Sequence, residues 1–565
     1  MTEPAGIKFE HVTFQYYSQA EPTLKDINLT IQPGEKVLIV GPSGSGKSTL
    51  GNLINGIIPH NYRGDLSGTV NVDGINVAES SVFDLSLKVG TVLQNANEQF
   101  VGLTTAEDLA FGMENDDTPT DEMHARVAKW ADYLNLNDQL NQSPQNLSGG
   151  QKQRVAMGDV LIDDGDIMLF DEPLAALDPA TGYKTIELID RLHREFNMTV
   201  VIIEHRLEEV LTQSVDRLIV LNDGQIVAND KPDAILKTDI MPKLGLREPL
   251  YIEALKAADI DLNQVDNLSN VDRVDTANLA TQLAPLAKPT AQVEPNSATP
   301  LLSIHDLSFG FADQPKLFNN LNLTVNRGDH LALIGRNGIG KSTLSKLITG
   351  FLTPTSGQIQ LSNHDLADDT IKERADKIGY VMQDPDKMIS QVGVKAEVGL
   401  GLKLRDYDAK TIETKVNQVL KVCGLYPYRN WPIAALSFGQ KKRVTIASIL
   451  VLEPEVLILD EPTAGQDFKH YQSMMQFLAQ LNQQGNTLIT ITHDMHLMLE
   501  YANRAVVLGN QNILADTKPV AVLSDAKLCQ QADLRPTSLY QLAQRFNLDP
   551  QAFTDRVIQY ELGDK

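Results

Sequence analysis

The chain has 565 residues and a formal net charge of −24, with 49 Lys and Arg against 73 Asp and Glu. This negative charge argues against direct electrostatic binding to nucleic acid or to an anionic membrane. Any membrane association should therefore come through a protein partner. Two cysteines are too few for a disulfide framework or a four-thiolate zinc site. The sequence has neither an apolar run of about 18 residues nor an N-terminal signal segment, so we expect a cytosolic protein.

The first half begins with residues 7–14, whose alternating polarity predicts a half-buried strand. The apolar run at 36–40 predicts a buried strand, and a loop of the form GxxxxGK[ST] follows it and opens a helix. Strand, loop and helix in this order are the context that a phosphate-binding loop (P-loop) requires. The residues of the loop are Gly41, Pro42, Ser43, Gly44, Ser45, Gly46, Lys47, Ser48 and Thr49.

This loop suits the phosphates of ATP. A glycine-rich turn lets backbone N–H groups approach phosphate oxygens, and the following helix N-terminus adds a favourable dipole. Lys47 is expected to reach the β- and γ-phosphates and Ser48 to ligate Mg²⁺. Further along, an apolar strand at 166–171 ends in two carboxylates. Asp171 is predicted to hold Mg²⁺, directly or through water, and Glu172 is a candidate general base for the attacking water.

The whole series occurs a second time. Lys47 and Lys341 lie 294 positions apart, and Asp171 and Asp460 lie 289 apart. So long a period indicates a doubled domain rather than a solenoid repeat. We therefore assign the second copies the same roles in ATP and Mg²⁺ binding and in catalysis. They are Gly335, Arg336, Asn337, Gly338, Ile339, Gly340, Lys341, Ser342 and Thr343 in the loop, with Asp460 and Glu461 at the end of the later strand.

The predicted fold class is α/β, with two P-loop NTPase nucleotide-binding domains in tandem at 1–252 and 301–565. Residues 253–300 carry more acidic than basic side chains and end in a stretch rich in Ala and Pro. This composition favours a flexible linker. Near the C-terminus, residues 538–548 and 551–560 are predicted to form two short amphipathic helices of a helical extension.

Two further motifs carry a family resemblance: Leu-Ser-Gly-Gly-Gln at 147–151 and Leu-Ser-Phe-Gly-Gln at 436–440. With these motifs the chain resembles the ATP-binding cassette (ABC) family over nearly all of both halves. The resemblance implies ATP hydrolysis, an α-helical signature subdomain in each half, and a head-to-tail pseudo-dimer in which each signature caps the ATP on the opposite P-loop. The signature residues are Ser148, Gly149, Gly150, Gln151, Ser437, Phe438, Gly439 and Gln440.

The resemblance also implies roles for single residues at matching positions. Two aromatic residues match the one that stacks on adenine, and two glutamines match the Q-loop residue that links Mg²⁺ and water to the transporter contact. Two D-loop aspartates match residues that communicate across the dimer, and two histidines match the one that orients water and the γ-phosphate. The aromatic residues are Tyr16 and Phe311, the glutamines are Gln94 and Gln383, the aspartates are Asp178 and Asp467, and the histidines are His205 and His493.

The two halves differ in one signature. Phe438 stands where the family has glycine, and by the head-to-tail rule it would face the nucleotide on Lys47. The nucleotide on Lys341 would meet the regular signature. Because both halves keep the glutamate and the histidine, we expect two hydrolytic but unequal sites.

The residues after the first Q-loop, 94–115, look like the corresponding segment in ATPases of energy-coupling factor (ECF) transporters, and 383–391 is a looser second copy. Leu-Ser-Phe-Gly-Gln-Lys-Lys-Arg is also familiar in that group. This likeness implies a membrane scaffold subunit, a small substrate-binding membrane subunit and a peripheral position on the cytoplasmic face of the membrane. The solute would be a vitamin or similar micronutrient, with thiamine or its pyrimidine precursor as the first hypothesis, and no direct nucleic acid binding is expected.

Two alternatives stay open. ABC-F translation factors are tandem cassettes that bind ribosomes, but they favour a long charged helical linker, whereas 253–300 is acidic and broken by proline. Tandem sugar-import ATPases share the doubled layout but often lose one catalytic glutamate. Both Glu172 and Glu461 are kept here.

Overall fold

A computed structural model of the chain describes residues 6–163, 165–175, 177–288, 299–312, 314–463, 468–561 and 563. The chain divides into two compact units, with the boundary between Pro285 and Leu286. Each unit contains an antiparallel sheet, a larger mainly parallel sheet and a group of helices. The fold class predicted from the sequence is confirmed.

The first unit is assembled from short strands and helices. Its strands are β1 (Ile7–Tyr16), β2 (Leu24–Ile31), β3 (Lys36–Val40), β4 (Gly64–Val72), β5 (Ile75–Asn76), β6 (Val89–Val92), β7 (Ile167–Asp171), β8 (Thr199–Ile203), β9 (Arg217–Asn222) and β10 (Gln225–Asp230). Its helices are α1 (Lys47–Ile54), α2 (Ile57–His60), α3 (Val82–Ser86), α4 (Thr105–Asn115), α5 (Thr120–Tyr133), α6 (Gly149–Leu161), α7 (Pro179–Phe196), α8 (Leu207–Val210), α9 (Pro232–Leu236), α10 (Ile240–Lys243), α11 (Leu250–Ala257) and α12 (Leu279–Leu283).

The two sheets of the first unit share one core. The antiparallel sheet has the order β2-β1-β4-β5, and the larger sheet has the order β10-β9-β3-β8-β7-β6. All five residues of β3 are buried, as expected for a central parallel strand covered on both faces. Leu50, Leu53 and Ile54 of α1 belong to the same buried cluster as residues of β1 and β3. The helix after the P-loop therefore holds that loop against the core.

The second unit repeats this plan. Its strands are β11 (Pro300–Phe309), β12 (Phe318–Asn326), β13 (His330–Ile334), β14 (Ser356–Leu361), β15 (His364–Asp365), β16 (Ile378–Val381), β17 (Val456–Asp460), β18 (Thr487–Ile491), β19 (Arg504–Gly509) and β20 (Asn512–Thr517). Its helices are α13 (Lys341–Ile348), α14 (Ile371–Ala375), α15 (Val394–Lys403), α16 (Ala409–Val422), α17 (Phe438–Leu450), α18 (Phe468–Gln483), α19 (Met495–Tyr501), α20 (Pro519–Leu523), α21 (Ala526–Gln531), α22 (Ser538–Arg545) and α23 (Pro550–Glu561).

The sheets of the second unit match those of the first strand for strand. Their orders are β12-β11-β14-β15 and β16-β17-β18-β13-β19-β20. In both units the strand before the P-loop pairs in parallel with two neighbours, and the edge strand β10 or β20 runs antiparallel. A helical group, α4–α6 or α15–α17, lies in the sequence between the Q-loop and the strand that carries the carboxylates.

The segment predicted as a linker differs from that expectation over 253–288. Most of α11 and all of α12 lie in it. Val265, Leu268 and Val274, which lie between these helices in the sequence, are fully buried. Irregularly spaced apolar residues show no helical or strand period, which is why the sequence pattern does not reveal this packing. Residues 289–298, which hold most of the Pro-rich stretch, lie outside the described residues.

Within the described ranges, no helix combines the length and the apolar composition needed to cross a bilayer.

Candidate ATP-hydrolysing sites

The two P-loops have the same backbone geometry. Gly46 and Gly340, which immediately precede the helices, have φ of 102° and 110°, a region that favours glycine. A Cβ on Gly41 would lie 2.3 Å from the carbonyl oxygen of Leu221, so the first glycine is required for space. The Nζ atom of Lys47 donates to the carbonyl oxygens of Gly41 (2.8 Å) and Pro42 (3.0 Å), and Lys341 does the same in its own loop. In each unit the lysine thus folds back over its own loop and donates to the first two carbonyl oxygens of that loop.

The carboxylates predicted to bind Mg²⁺ and to act as general bases lie at the carboxyl edge of the same sheets. Asp171 is the last residue of β7 and Asp460 the last residue of β17. The following glutamates, Glu172 and Glu461, have φ of 48° and 46°. Positive φ is uncommon for residues other than glycine and costs of order 1–3 kcal/mol. The same strained turn at both positions directs both glutamates out of the strand.

Glu172 is held by two side chains from neighbouring strand ends. The Nε2 atom of His205, after β8, lies 3.0 Å from Oε1, and the Nε2 atom of Gln94, after β6, donates to Oε2 at 2.7 Å. Burial alone would raise the pKa of Glu172, but the hydrogen bonds from His205 and Gln94 and the charge of Lys47 hold that pKa below its ordinary value. Glu172 is therefore an ionised carboxylate, as a general base must be before it accepts a proton.

The second unit brings together fewer of the corresponding residues. The Nε2 atom of His493 lies 3.4 Å from Oε1 of Glu461. Among the described residues, the side chain of Gln383 makes no hydrogen bond to Glu461, unlike Gln94 with Glu172. The hydrogen bond from the Q-loop glutamine to the following glutamate is thus seen in the first unit and not among the described residues of the second.

The residues predicted for Mg²⁺ fit that ion. The hydroxyl of Ser342 donates to Oδ2 of Asp460 at 2.9 Å, so the two expected ligands are adjacent. In the first unit Oδ1 of Asp171 is buried and has no hydrogen-bond partner in the described part of the chain. Burial and the neighbouring Glu172 raise the pKa of Asp171. Hydroxyl and carboxylate oxygens are the ligands that Mg²⁺ prefers, and a cation would compensate this buried carboxylate.

Each signature motif forms the start of a helix. Ser148 is the N-cap of α6 and Ser437 the N-cap of α17, and each serine exchanges hydrogen bonds with the glutamine three residues on, Gln151 or Gln440. This is a capping box, which explains the Ser-x-x-Gln spacing. Phe438 lies in the first turn of α17 and is 44% exposed. Both serines thus stand at a positive helix end suited to an anion.

The remaining predicted residues occupy different environments. Tyr16 is half-buried and its hydroxyl lies 3.2 Å from Oγ1 of Thr49, whereas Phe311 is 45% exposed and packs edge-on against Phe309. Asp178 is buried and caps α7 by accepting from the backbone and hydroxyl of Thr181. Its predicted counterpart Asp467 lies outside the described residues.

The model of the ABC transporter family matches residues 24–175 and 318–464, which together span both P-loops and both signatures. The chain belongs to the ABC transporter family. Two cassettes in one chain and ATP hydrolysis coupled to transport are therefore confirmed. A second family model, described as an ATP-binding cassette cobalt transporter, matches residues 238–309 of this ABC ATPase.

Curated relatives match along the whole length. A protein of Lactiplantibacillus plantarum named "Putative ABC transporter ATP-binding protein" is 54% identical over 98% of both chains. A protein of Enterococcus faecalis with the same name is 53% identical over 98% of both chains. Among solved structures, cbiO1 of Clostridium perfringens, titled as part of the ABC transporter complex cbiONQ, is 32% identical, with a TM-score of 0.39 over 44% of this chain and 99% of that one.

Four residues beside the sites have no role that the sequence motifs predict. Tyr380 donates to Oδ2 of Asp460 at 3.0 Å, and Lys442 lies buried in α17. Asp108 and Glu397 each hold a loop after the Q-loop. Tyr380 and Lys442 could have been found by comparing the two halves at a separation of 289 residues. The corresponding residues of the first half are of different types, Thr91 and Gln153.

Proposed function

We propose that this ABC ATPase is the energy-coupling subunit of an ECF-type importer, bound peripherally to the cytoplasmic face of the membrane through a scaffold subunit and a small substrate-binding subunit. The match of residues 238–309 to a family described as a cobalt transporter supports transport of a micronutrient. The vitamin hypothesis and the metal suggested by that description are both micronutrient cargoes, and a partner subunit would select between them.

The observation that carries this proposal is a pair of matching exposed apolar residues. Leu103 is 82% exposed and Val392 is 83% exposed, and they stand 289 positions apart in the segments that follow Gln94 and Gln383. A singly exposed apolar side chain is common on protein surfaces, but its recurrence at the matched position of both units favours an interaction surface. Each would dock a cytoplasmic helix of the scaffold and pass on the movement of the Q-loop.

The loops that present these residues are held rigidly. Oδ1 of Asp108, in α4, accepts from the backbone amides of Val101 (2.7 Å) and Gly102 (2.6 Å). Oε2 of Glu397, in α15, accepts from the amides of Ser390 (2.8 Å) and Gln391 (2.7 Å). Because a preformed loop loses less conformational entropy on binding, this shared device suits a docking surface.

In the proposed reaction, water attacks the γ-phosphate in line and Glu172 or Glu461 accepts its proton. His205 or His493 orients the glutamate, and Lys47 or Lys341 stabilises the charge that develops on the phosphate oxygens. Bound Mg²⁺, held by Ser48 and Asp171 or by Ser342 and Asp460 and contacted by Gln94 or Gln383, would neutralise phosphate charge. The signature of the opposite unit would complete each site, as the family resemblance implies.

Both alternatives have less support. A translation factor of the ABC-F type would carry a long charged helix between its cassettes, whereas the longest helix that the structure describes within 250–288 is the eight-residue α11. A sugar-import ATPase would often lack one glutamate, whereas both stand in the same strained turn beside a histidine.

A pull-down tests the proposal. The tagged chain with Glu172→Gln and Glu461→Gln, which should slow release, is recovered from detergent-solubilised membranes and its partners are identified. We expect a stoichiometric polytopic scaffold and a small hydrophobic subunit, and Leu103→Asp with Val392→Asp should abolish their recovery. Val227→Asp is the matched control, because Val227 is an exposed apolar residue on β10, at the sheet edge opposite β6. Ribosomal proteins without a membrane subunit would overturn the import function.

The cargo is tested separately. Cells that express the recovered subunits are assayed for uptake of radiolabelled thiamine and of Co²⁺. Uptake of either solute that depends on Glu172 and Glu461 supports a micronutrient importer and names its solute class. Uptake of neither would contradict both cargo hypotheses.

A further inference from the structure

Lys442 is a lysine with an unusual location. It lies in the second turn of α17 and is 1% exposed. Lysine is almost never fully buried unless its ammonium is paired. Here Nζ donates to the carbonyl oxygens of Met382 (2.8 Å) and Gln383 (2.6 Å), which directly follow β16. One buried side chain therefore joins the signature helix to the Q-loop within the second unit.

The surroundings of Lys442 act on its charge in two opposite ways. Burial lowers the pKa of Lys442 to about 8, while the carboxylates of Asp460, Glu461 and Asp384 oppose that change. The ammonium thus bonds to the backbone of the Q-loop and is attracted by the two catalytic carboxylates of the same unit.

The first unit makes the same junction in a different way. The residue that corresponds to Lys442 is Gln153, which is buried and whose Nε2 has no hydrogen-bond partner among the described residues. Instead Gln99, after the Q-loop, accepts from the backbone of Leu93 (3.4 Å) and donates to the carbonyl of Ala156 in α6 (3.1 Å).

The second unit has Met388 where the first has Gln99, and the sulfur of Met388 lies 3.1 Å from the backbone nitrogen of Met382. Methionine cannot donate a hydrogen bond to the signature helix, so it cannot replace the amide of Gln99. Both units share an exposed bridge from the signature helix to the segment after the Q-loop, Lys152 to Asn97 (2.7 Å) or Lys441 to Asp386 (2.9 Å). They differ in a second, less exposed bridge, which is neutral and comes from Gln99 in the first unit and is cationic and comes from Lys442 in the second.

We propose that Lys442 is a positioning residue for ATP hydrolysis in the second unit: it fixes the Q-loop at Gln383 to the signature helix, the role that Gln99 performs in the first unit. Both hydrogen bonds of Lys442 go to the Q-loop backbone, so we expect it to act on the catalytic step and not on nucleotide binding. A movement of α17 is passed to the backbone of Met382 and Gln383 through one hydrogen bond to each from the same ammonium.

The first test compares matched substitutions in the full chain. Lys442→Met removes the charge and the donors at similar volume and is expected to lower kcat about tenfold at the affected site, with KM for ATP unchanged, because hydrogen bonds from charged groups are the stronger class. Lys442→Gln, which restores a donor without charge, should recover part of the loss. Gln153→Met is the control and should leave kcat unchanged. An unchanged kcat in Lys442→Met, or equal changes in kcat and in nucleotide affinity, would overturn the proposal.

A second test moves the bridge into the first unit and does not depend on the folding of Lys442→Met. Gln99→Met alone removes the neutral bridge and should lower kcat. Adding Gln153→Lys recreates the arrangement of the second unit and should restore the lost activity. If the double variant folds, as shown by an unchanged thermal unfolding temperature, but remains as slow as Gln99→Met, the two bridges are not equivalent and the proposal fails.

Discussion

The strands that lead into the two P-loops begin with different residues, and these residues make different kinds of interaction. In the first unit Lys36, at the start of β3, forms a buried ion pair with Asp190 of α7, and Arg194 also contacts that carboxylate at 2.8 Å. In the second unit the same position is His330, whose Nε2 lies 3.1 Å from the hydroxyl of Thr490 on β18. One unit supports its P-loop strand with charge, and the other uses a neutral hydrogen bond.

This difference matters because the residues predicted to bind and hydrolyse ATP are of nearly the same types in both units. Phosphate chemistry restricts the P-loop, the carboxylates and the histidine to a few residue types. The supporting positions must only fill their volume and pair their buried polar groups, which either an ion pair or a neutral hydrogen bond can do. Two copies of one domain can therefore keep one chemistry and differ in their response to pH and to substitution.

The largest effect is expected at the catalytic glutamates. Glu172→Gln and Glu461→Gln together should lower ATP turnover by about 10²–10⁴-fold, the usual contribution of a general base. Each single variant should lower turnover by a different amount, because Gln94 donates a hydrogen bond to Glu172, whereas no hydrogen bond of this kind joins Gln383 to Glu461 among the described residues. Phosphate release per chain measures all three variants. Unchanged turnover in Glu172→Gln would contradict two unequal hydrolytic sites.

The next effect concerns the buried ion pair. Lys36→Met leaves Asp190 buried with Arg194 as its remaining cation, and breaking a buried pair costs about 3–5 kcal/mol. The matched change in the second unit, His330→Met, loses one neutral hydrogen bond and should cost about 1 kcal/mol. Urea unfolding of the full chain compares the two.

The double variant Lys36→Met with Asp190→Leu is the control for this comparison. Replacing both partners of a buried pair by apolar residues is often neutral, so much of the lost stability should return. Equal losses in Lys36→Met and His330→Met would show that the two supports are energetically alike, and the proposed contrast would be wrong.

His330 gives the second unit an acid sensitivity that the first lacks at this position. Burial lowers the pKa of His330 to about 4 from an ordinary 6.5, so the folded state binds the proton less readily than the unfolded state. Stability is therefore full above pH 6.5 and falls as the pH drops toward 4, by about 2 kcal/mol at pH 5. Calorimetry should show a smaller loss between pH 7.5 and 5 for His330→Gln. Parallel loss in both proteins would exclude His330 as the cause.

The sequence allowed prediction of what phosphate chemistry demands. Lys47, Asp171, Glu172 and His205 follow buried strands, and parallel strands bring their carboxyl ends to one edge, so strand patterns and motifs sufficed to place them together. Lys442 and Gln99 could not be assigned in this way. Their function arises from contacts with backbone atoms about 57–60 positions away, and a backbone carbonyl leaves no trace in the residue pattern.

The strained turns and the packed segment were missed for related reasons. A glutamate with positive φ is disfavoured by its own propensity, and only the surrounding fold can impose it. Residues 253–288 are acidic overall, and their buried apolar residues Val265, Leu268 and Val274 do not follow a helical or strand period. Tertiary packing decides both features, and local pattern does not.

The smallest predicted effect distinguishes the two Mg²⁺ sites. Oδ2 of Asp460 lies within hydrogen-bond distance of two hydroxyls, those of Ser342 (2.9 Å) and Tyr380 (3.0 Å). In the first unit Thr91 takes the place of Tyr380, and its hydroxyl pairs with Asn55 instead of Asp171. Tyr380 would thus fix the orientation of the predicted metal-binding carboxylate of Asp460 in the second unit, as hydrogen-bond partners of metal ligands generally do.

Tyr380→Phe removes that hydroxyl and keeps the ring. With about 1 kcal/mol lost, the concentration of metal for half-saturation should rise about fivefold in the second unit. Mn²⁺ binding to the full chain with a non-hydrolysable ATP analogue, followed by electron paramagnetic resonance, should resolve this weaker class of site. Thr91→Val is the matched control and should leave binding unchanged, because Thr91 does not touch the carboxylate. Identical curves for the two variants would show that the phenol packs beside Asp460 without orienting it, and the two metal sites would then be equivalent.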